Sequence, residues 1–210
     1  MYIPKHFRED DPDTLFDLIE RYNFGALVTH HSGELHATHL PFYVDRTRGE
    51  HGTLVAHMAR PNPQWHDFAS HQEALVIFQG PHAYISPSWY ESAPTNVPTW
   101  NMAVVHAYGI PQIIEDHDAM YAMLRHLVNN HEAQRERPWP IESSEEYVHG
   151  RIAAIVGFEI PIGRLEAKFK LSQNRNETDQ SHVIEGLSNT GSSQDAEVSA
   201  LMDRRRSKPE

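Results

Sequence analysis

The sequence predicts a mainly β fold with added helices, in which antiparallel strands form a barrel. Short segments rich in β-branched and aromatic residues alternate apolar and polar positions, and turn residues separate them closely. Segments with a helical period interrupt these strands irregularly. That arrangement favours a barrel with helices over a regular parallel α/β sheet. The 210 residues suffice for one large domain with a sizeable core.

The first part of the chain is predicted to contain one helix, three strands and a short second helix. Asp11-Pro12-Asp13 opens a helix that ends near Gly25, with its apolar residues on one face. Strands are predicted over 24–29, 35–44 and 53–58, and short turns join them into an antiparallel meander. Asn62 followed by Pro63 is a helix-start signal, which predicts a helix over 63–70.

The rest of the chain is predicted to continue the barrel and to end in helices. Gly80 and Pro81 are expected to end one strand before another begins. The predicted strands are 74–78, 82–86, a bent strand or strand pair over 99–114, 155–160 and 164–171, with a loop over 88–98. The predicted helices run from Asp116 or Asp118 to Asn130, over 143–151, near 182–187 and over 196–206. We expect residues 1–175 to form the barrel domain and residues 176–210 a helical extension with a flexible linker over 188–194.

Composition excludes some classes of function and disfavours others. The formal net charge of -11 disfavours a nucleic-acid surface, and the one basic run is Arg204-Arg205-Arg206 near the C-terminus. Without cysteine there is no disulfide, thiolate metal site or cysteine nucleophile. The N-terminus lacks an apolar signal region, and no apolar run approaches the roughly 20 residues of a membrane helix. We therefore expect a soluble, cytoplasmic protein with no membrane partner.

Motifs for several common sites are absent. The 16 histidines are scattered and contain no His-Glu-x-x-His pattern, so no metal site is predicted. The sequence has no Gly-x-Gly-x-x-Gly, no phosphate loop of the Gly-Lys-Ser/Thr type and no Gly-x-Ser-x-Gly. These absences argue against a Rossmann dinucleotide site, a P-loop nucleotidase and an α/β-hydrolase.

The stretch His57-Met-Ala-Arg-Pro-Asn-Pro-Gln-Trp65 is a candidate phosphate seat. It is predicted to run from a strand into a helix start, where unpaired backbone N–H groups and the helix dipole favour an anion. Arg60 adds a guanidinium that can hold a phosphate by two hydrogen bonds. An ordinary capped turn with a solvated arginine explains the same residues.

Six blocks of sequence resemble the PaiB-type FMN-binding regulators, a family of FMN-binding split-barrel proteins. Besides residues 57–65, the blocks are Tyr2-Ile-Pro-Lys-His-Phe7, Ala37-Thr-His-Leu-Pro41, Gln79-Gly-Pro-His-Ala-Tyr-Ile-Ser-Pro-Ser-Trp-Tyr90, Val97-Pro-Thr-Trp-Asn101 and Lys170-Leu-Ser-Gln-Asn174. The resemblance implies a six-stranded antiparallel FMN-binding split β-barrel that dimerises and holds FMN at the subunit interface. It also implies a negative transcriptional regulator.

The resemblance and the chemistry of FMN together nominate a set of site residues. Arg60 and Asn62 are candidates for the phosphate, with Lys168 or Lys170 as a second cation. Backbone groups at 38–40 are candidates for the polar edge of the flavin, and aromatic rings for its faces. Core packing of the tryptophans and a solvated strand face for the lysines are the alternatives. The full set is Thr38, His39, Leu40, His57, Ala59, Arg60, Asn62, Trp65, Tyr84, Thr99, Trp100, Lys168, Lys170 and Gln173; no catalytic residue is assigned.

Three functions follow from this reading. The first is a PaiB-type regulator that acts through bound flavin rather than by strong direct DNA contact. The second is a flavin-dependent oxidoreductase, with NAD(P)H as donor and a small acceptor. The third is a haem-binding or haem-degrading protein on the same fold, suggested by the histidine count. A homodimer is expected because Trp89, Tyr90 and Trp100 lie in predicted loops where a monomer would expose them.

Overall fold

The structure is a computed structural model that describes residues 1–92 and 95–207, so residues 93 and 94 of the predicted 88–98 loop lie outside it. The α-helices in these ranges are α1 (Pro12–Arg21), α2 (His117–Glu132), α3 (Glu145–Arg151), α4 (Glu177–Ser188) and α5 (Ser193–Arg206). Short 3-10 helices span Lys5–Phe7, Pro63–Ser70, Pro87–Trp89, Ile141–Ser144 and Ile152–Ala154.

One antiparallel sheet forms the centre of the fold. Its strands are β1 (Phe24–His31), β2 (Glu34–Pro41), β3 (Tyr43–Asp45), β4 (Thr53–Ala59), β5 (Ala74–Ile85), β6 (Thr99–Gly109), β7 (Gln112–Ile113) and β8 (Ile155–Lys170). Their order is β2-β1-β5-β6-β8-β4-β3, and β7 pairs with β8. The pairs β1–β2, β1–β5, β3–β4, β4–β8 and β7–β8 are antiparallel. The predicted mainly β class is confirmed.

The sheet has eight strands among the described residues rather than six, for two local reasons. The predicted strand 35–44 is divided at Phe42, and Gln112–Ile113 adds a short strand. Phe42 is fully buried, its N–H donates to Asn23 O at 2.8 Å, and its ring meets those of Phe78 and Phe158 edge-on. The chain pairs with β1 up to Pro41 and with β4 from Tyr43, so β2 and β3 lie at opposite ends of the strand order and the predicted continuous meander is wrong at Phe42.

Two predicted strand breaks are also wrong. Residues 74–85 form one strand through Gly80 and Pro81, and residues 155–170 form one strand through Pro161. A proline removes a backbone donor, so it is tolerated where no neighbouring strand needs that donor. The β1–β5 ladder ends at Ile77, before Pro81, and Pro161 is the terminal partner in the β4–β8 ladder.

Several predicted boundaries are confirmed because capping residues define them. Asp116 caps α2 by accepting a hydrogen bond from Ala119 N at 2.8 Å. Asn62 caps the helix at Pro63–Ser70 by accepting from Gln64 N at 3.0 Å, although this helix is 3-10 rather than α. The bend predicted at Gly109 and Pro111 is the gap between β6 and β7.

The C-terminal helices are longer and closer together than the sequence pattern indicated. Asn176 and Ser192 cap α4 and α5, and only residues 189–192 separate the two helices. Ser199 on α5 donates to Ile184 O at 3.1 Å and bonds Ser188 Oγ at 2.9 Å. The helix predicted near 182–187 lies within α4 but is too short, and the linker predicted over 188–194 is wrong because only residues 189–192 lie between the helices. The division into a 1–175 domain and a 176–210 extension stays a prediction.

The described residues form two compact units that the chain visits alternately. The first, here called the terminal unit, contains residues 1–15, 79–105 and 166–207; the second, the central unit, contains residues 16–78 and 106–165. In the central unit, α2 lays Met120 and Met123 on the sheet next to Gly157, where an added Cβ would lie 2.2 Å from Met120 Sδ. Among the described residues, no helix combines the length and apolar character needed to cross a membrane.

Candidate functional site

The predicted site residues fall into one group in each compact unit. The central unit holds Thr38, His39, Leu40, His57, Ala59, Arg60, Asn62 and Trp65, and the terminal unit holds Tyr84, Thr99, Trp100, Lys168, Lys170 and Gln173.

The turn after β4 is built around the Arg60 side chain. Its Nε donates to Ala153 O at 2.7 Å and a terminal nitrogen donates to Ile155 O at 2.8 Å. Trp65 Nε1 donates to Arg60 O at 3.0 Å, and the guanidinium lies 5.9 Å from the centre of the Trp65 ring. A guanidinium carries five N–H donors, so these contacts orient it and leave donors for an anion. These hydrogen bonds hold the Arg60 side chain in place, whereas the side chain of a solvated arginine would have no such partners in the protein.

Asn62 joins this turn to strand β2. Its Nδ2 donates to Thr38 Oγ1 at 2.9 Å, while its Oδ1 caps Gln64 N. Among the described strands, β2 lies at one end of the strand order and pairs with β1. In an antiparallel edge strand, alternate residues point their N–H and C=O away from the neighbour. Backbone contacts of the segment 38–40 with a flavin are compatible with this strand edge and stay a prediction.

Beneath the turn lies a buried polar network that the sequence analysis missed. Gln64 Nε2 donates to Thr29 Oγ1 at 3.0 Å, and the Thr29 hydroxyl donates to Asp67 Oδ2 at 2.6 Å. His36 Nδ1 lies 2.8 Å from the same oxygen, and because a carboxylate only accepts, Nδ1 carries the proton. Gln64 Nε2 also reaches the carbonyls of Leu27 and His36. This network fixes the helix at Pro63–Ser70 against β1 and β2.

The network sets the charge state of Asp67. Burial raises the pKa of its carboxyl, but the hydrogen bonds from Thr29 and His36 outweigh burial and hold the pKa below its usual value. The side chain is 6% exposed. In the sequence, the one sign of this network is that Gln64 and Asp67 lie on the same face of a short predicted helix. Ordinary core residues show the same spacing, so the sign is not specific.

The remaining central-unit candidates lie along β2 and β4. His39 is exposed and stacks on Phe24, Leu40 is buried, and Ala59 is exposed at the end of β4. His57 lies partly buried within β4, and its Nδ1 is buried with no hydrogen-bond partner among the described residues. Burial lowers the pKa of His57, which favours the neutral ring. A buried ring nitrogen without a partner carries a desolvation penalty, which makes this position of β4 unusual.

In the terminal unit, Lys170 holds the start of β6. Its Nζ donates to Thr99 Oγ1 at 2.6 Å and to Trp100 O at 2.6 Å. Burial lowers the pKa of Lys170, and the charges of Lys168 and Arg175 lower it further. Lys170 is therefore a partly desolvated cation in a positive environment rather than a residue of a solvated strand face.

The other candidates in the terminal unit differ in their solvent exposure and in the contacts of their side chains. Tyr84 and Trp100 are 48% and 51% exposed and lie edge-on with ring centres 6.1 Å apart. Lys168 Nζ lies 5.8 Å from the centre of the Tyr2 ring. Gln173 caps the end of β8, accepting from Leu171 N and donating to Phe169 O, so its side chain has a structural role. Core packing does not account for Trp100.

Within residues 1–92 and 95–207, no group of three histidine, aspartate or glutamate side chains is arranged to hold a metal ion. The polar groups of the two candidate groups are backbone groups of strand edges, side-chain amides and cations. Such groups suit an organic anion or a cofactor whose ring carries polar atoms along one edge.

The chain belongs to the family described as "Putative FMN-binding domain", whose model matches residues 1–164. The fold is the mainly antiparallel split barrel found in that class of flavin-binding protein, with added helices, as the sequence predicted.

Relatives and solved structures agree on family and fold. The chain is 38% identical over 205 residues to "Protease synthase and sporulation protein PAI 2" of Bacillus subtilis, covering 97% of each chain. The FAD and haem binding protein of Mycobacterium smegmatis matches with a TM-score of 0.59 at 16% identity, covering 83% of this chain and 78% of that one. The flavocytochrome Anf3 of Azotobacter vinelandii gives 0.59 at 14% identity, covering 86% and 78%. At these identities the two structures show the fold alone.

Proposed function

We propose that the protein binds FMN in a site that includes the Arg60 turn and the free edge of β2. The observation that carries the proposal is the hydrogen bond from Asn62 to Thr38, because it connects the predicted phosphate seat to the predicted flavin-binding strand. Membership of the "Putative FMN-binding domain" family supports the same ligand.

The residues of this chain have separate roles in the proposed site. Arg60 holds the phosphate at the turn before the Pro63–Ser70 helix, where Pro63 has no N–H and Gln64 N already donates to Asn62 Oδ1. Backbone groups at 38–40 pair with the polar edge of the ring, and Trp65 limits access of water beside the turn. FMN supplies one- and two-electron redox chemistry when bound. The protein fixes the position and surroundings of the ring.

We also propose a homodimer with FMN at the subunit interface. The exposed rings of Tyr84 and Trp100 support an aromatic contact surface. Tyr90, which the sequence analysis counted among the exposed loop aromatics, is only 4% exposed, so the chain itself covers it. Tyr90 therefore gives no support to a dimer, and the exposed aromatic residues that support one are Tyr84 and Trp100.

The absorption spectrum of the protein as purified tests the proposal. We expect a flavin band, and release of the ligand with measurement of its mass should give FMN rather than FAD. An apoprotein that shows no flavin band and does not bind added FMN would contradict the proposal. NAD(P)H oxidation by the flavin-loaded protein would add an oxidoreductase activity, whereas a Soret band on haemin titration without flavin binding would indicate the haem alternative.

A regulatory role is proposed through flavin rather than through strong DNA contact. The name of the Bacillus subtilis relative refers to protease synthesis and sporulation. The basic run in this chain is partly engaged, since Arg205 pairs with Glu9 and Arg206 donates to Ser181 Oγ at 3.1 Å. With a net charge of -11, we expect no specific footprint at nanomolar protein and physiological salt. A footprint that persists there would overturn this view and assign α4 and α5 to DNA.

A further inference from the structure

A small pocket in the terminal unit includes Thr99 and Lys170 from the predicted site set, together with residues that were not predicted. It has a volume of about 210 Å³, and its lining includes Phe7, Tyr90, Thr99, Asn101, Lys170 and Arg175. Pockets for drug-sized ligands usually measure about 300–1,000 Å³, so this one suits a small group rather than a whole flavin. We call it the Lys170 pocket.

The cations of the Lys170 pocket have neutral partners in the described structure. Lys170 donates to the Thr99 hydroxyl and to a backbone carbonyl. Arg175 donates to Asn96 Oδ1 at 2.7 Å. None of the described lining residues is an aspartate or a glutamate. Two cations without a carboxylate produce a positive potential in a partly desolvated site, which favours an anion.

The hydroxyl group of Tyr90 gives independent support for a ligand. Tyr90 lines the pocket, its side chain is 96% buried, and its hydroxyl has no hydrogen-bond partner among the described residues. Buried hydroxyl groups are normally paired, because leaving one unpaired carries a desolvation penalty. The Arg175 guanidinium lies 4.4 Å from the centre of the Tyr90 ring, so the cation and the unpaired hydroxyl belong to one assembly.

The base of the pocket is rigid. Asn101 is fully buried and donates to Ser172 Oγ at 2.9 Å. Ser172 has a φ of 64°, in the left-handed region, and lies between Lys170 and Arg175 in the chain. The bond to Asn101 helps hold Ser172 in this conformation and thus fixes the turn that carries the two cations.

We propose that the Lys170 pocket binds a phosphate group, with Lys170 and Arg175 neutralising its charge and the Tyr90 hydroxyl donating a hydrogen bond. Arg175 and Tyr90 were not among the predicted flavin residues, and the family match ends at residue 164. FMN has one phosphate, so if this pocket binds it, the pocket replaces the Arg60 turn as the phosphate site; otherwise the pocket takes a separate phosphorylated compound, and the two sources share this chemistry. The proposal stands independently of flavin binding.

Titration of inorganic phosphate into the full chain at low ionic strength, followed by calorimetry, tests the pocket. Arg175→Gln should weaken phosphate binding by about ten- to a hundredfold, because a charge-assisted hydrogen bond is lost. Arg175→Lys should recover part of the affinity, because it retains the charge. Arg204→Gln, at an exposed position near the end of α5, is the matched control and should leave the affinity unchanged.

Tyr90→Phe separates a binding role from a structural one. It should weaken phosphate binding several-fold, yet leave the melting temperature of the phosphate-free protein unchanged or higher, because the removed hydroxyl was unpaired. A purely structural tyrosine would not weaken phosphate binding in a protein that remains fully folded. The absence of saturable phosphate binding, or equal binding by wild type and Arg175→Gln, would overturn the proposal.

Competition identifies the source of the phosphate. Displacement of bound phosphate by FMN but not by riboflavin would assign the pocket to the phosphate of the cofactor. Phosphate binding unaffected by either flavin would support a separate phosphorylated ligand. A protein that fails to bind flavin but still binds phosphate through Arg175 contradicts the proposed function and supports this pocket, so the two failures are distinguishable.

Discussion

Asn62 donates a hydrogen bond from its side chain to Thr38 Oγ1 at 2.9 Å and accepts one from Gln64 N at 3.0 Å. One amide thus caps a helix with its oxygen and ties that helix to the edge strand β2 with its nitrogen. Because the two functions use different atoms, substitutions can separate them.

Asn62→Ala removes both hydrogen bonds, whereas Asn62→Asp keeps an acceptor for the cap and loses only the donor. We expect Asn62→Ala to lower the free energy of unfolding by about 1–2 kcal/mol and Asn62→Asp to lower it less. FMN affinity should follow the opposite order, since the carboxylate of Asn62→Asp repels a phosphate held at this turn. Urea unfolding and flavin titration measure the two orders. The same order in both measurements would contradict a phosphate at this turn.

Arg60→Ala tests the phosphate contact directly. Loss of a hydrogen bond to a charged group costs about 1.5–3 kcal/mol, so FMN binding should weaken by roughly ten- to a hundredfold. Riboflavin lacks the phosphate, and its affinity should hardly change. The substitution also removes the donors to Ala153 O and Ile155 O, so a modest loss of stability is expected.

Arg60→Lys is the matched control for the phosphate contact. It keeps the charge but loses the planar geometry that serves two carbonyls and a phosphate together. Its FMN affinity should fall between those of wild type and Arg60→Ala. Equal losses for FMN and riboflavin would show general damage to the site, and unchanged affinity for both would place the phosphate elsewhere, with the Lys170 pocket next to be tested.

Local signals predicted the parts of this fold that local residues determine. The caps at Asp116 and Asn62 fixed the starts of two helices, because a side chain and a backbone N–H three or fewer residues apart define each start. The break at Phe42 was not predictable in this way. It is a change of strand partner from β1 to β4, and β4 begins several residues further along the chain, so the residues around Phe42 give no local signal.

The same distinction holds for the candidate site. Arg60, Asn62 and Thr38 were predicted, since they lie in blocks that resemble the family. Arg175 and the buried Tyr90 hydroxyl were missed, because their significance depends on a pocket formed by three separate parts of the chain. A sequence shows that an arginine is present, but not that its partners in the fold are all neutral.

We expect Gly109 on β6 to tolerate an added methyl group poorly. An added Cβ would lie 2.2 Å from Pro161 O on β8, and that backbone atom has no flexible chain with which to yield. Gly109→Ala should therefore destabilise the fold by about 3 kcal/mol or more. Gly150→Ala, in α3 with open space around it, should instead stabilise by up to about 1 kcal/mol. Thermal unfolding of both variants checks the contrast, and equal effects would contradict the close packing of β6 on β8.

If the proposed dimer buries the exposed rings of Tyr84 and Trp100, a charged side chain at this pair should weaken dimerisation. Trp100→Glu places a carboxylate in a surface that also contains Tyr84, so burial of this surface against a second copy would become unfavourable. Light scattering at micromolar protein should give a dimer mass for wild type and a monomer mass for Trp100→Glu. Tyr147→Glu, at another exposed aromatic residue in the central unit, is the control and should remain dimeric. A wild-type monomer would contradict the dimer outright.

Because of Asp67, we expect the free energy of unfolding to fall at acidic pH. Its pKa is lower in the folded protein than in the unfolded chain, because hydrogen bonds from Thr29 and His36 outweigh the opposing effect of burial. A carboxyl of this kind stabilises the fold above its unfolded pKa of about 3.9, and the stabilisation is lost as pH falls through the folded pKa. Asp67→Asn should therefore be less stable than wild type at pH 7 by about 1.5–3 kcal/mol.

The difference between wild type and Asp67→Asn should narrow below about pH 4, where the wild-type carboxyl takes up its proton. Thr29→Val removes one of the two hydrogen bonds that lower the pKa, so its acid unfolding should begin at a higher pH than that of wild type. Urea unfolding at pH 7 and pH 3 measures both effects. A difference between wild type and Asp67→Asn that is the same at both pH values would show that Asp67 contributes through its shape and neutral hydrogen bonds, and that its charge adds nothing to the stability of the turn.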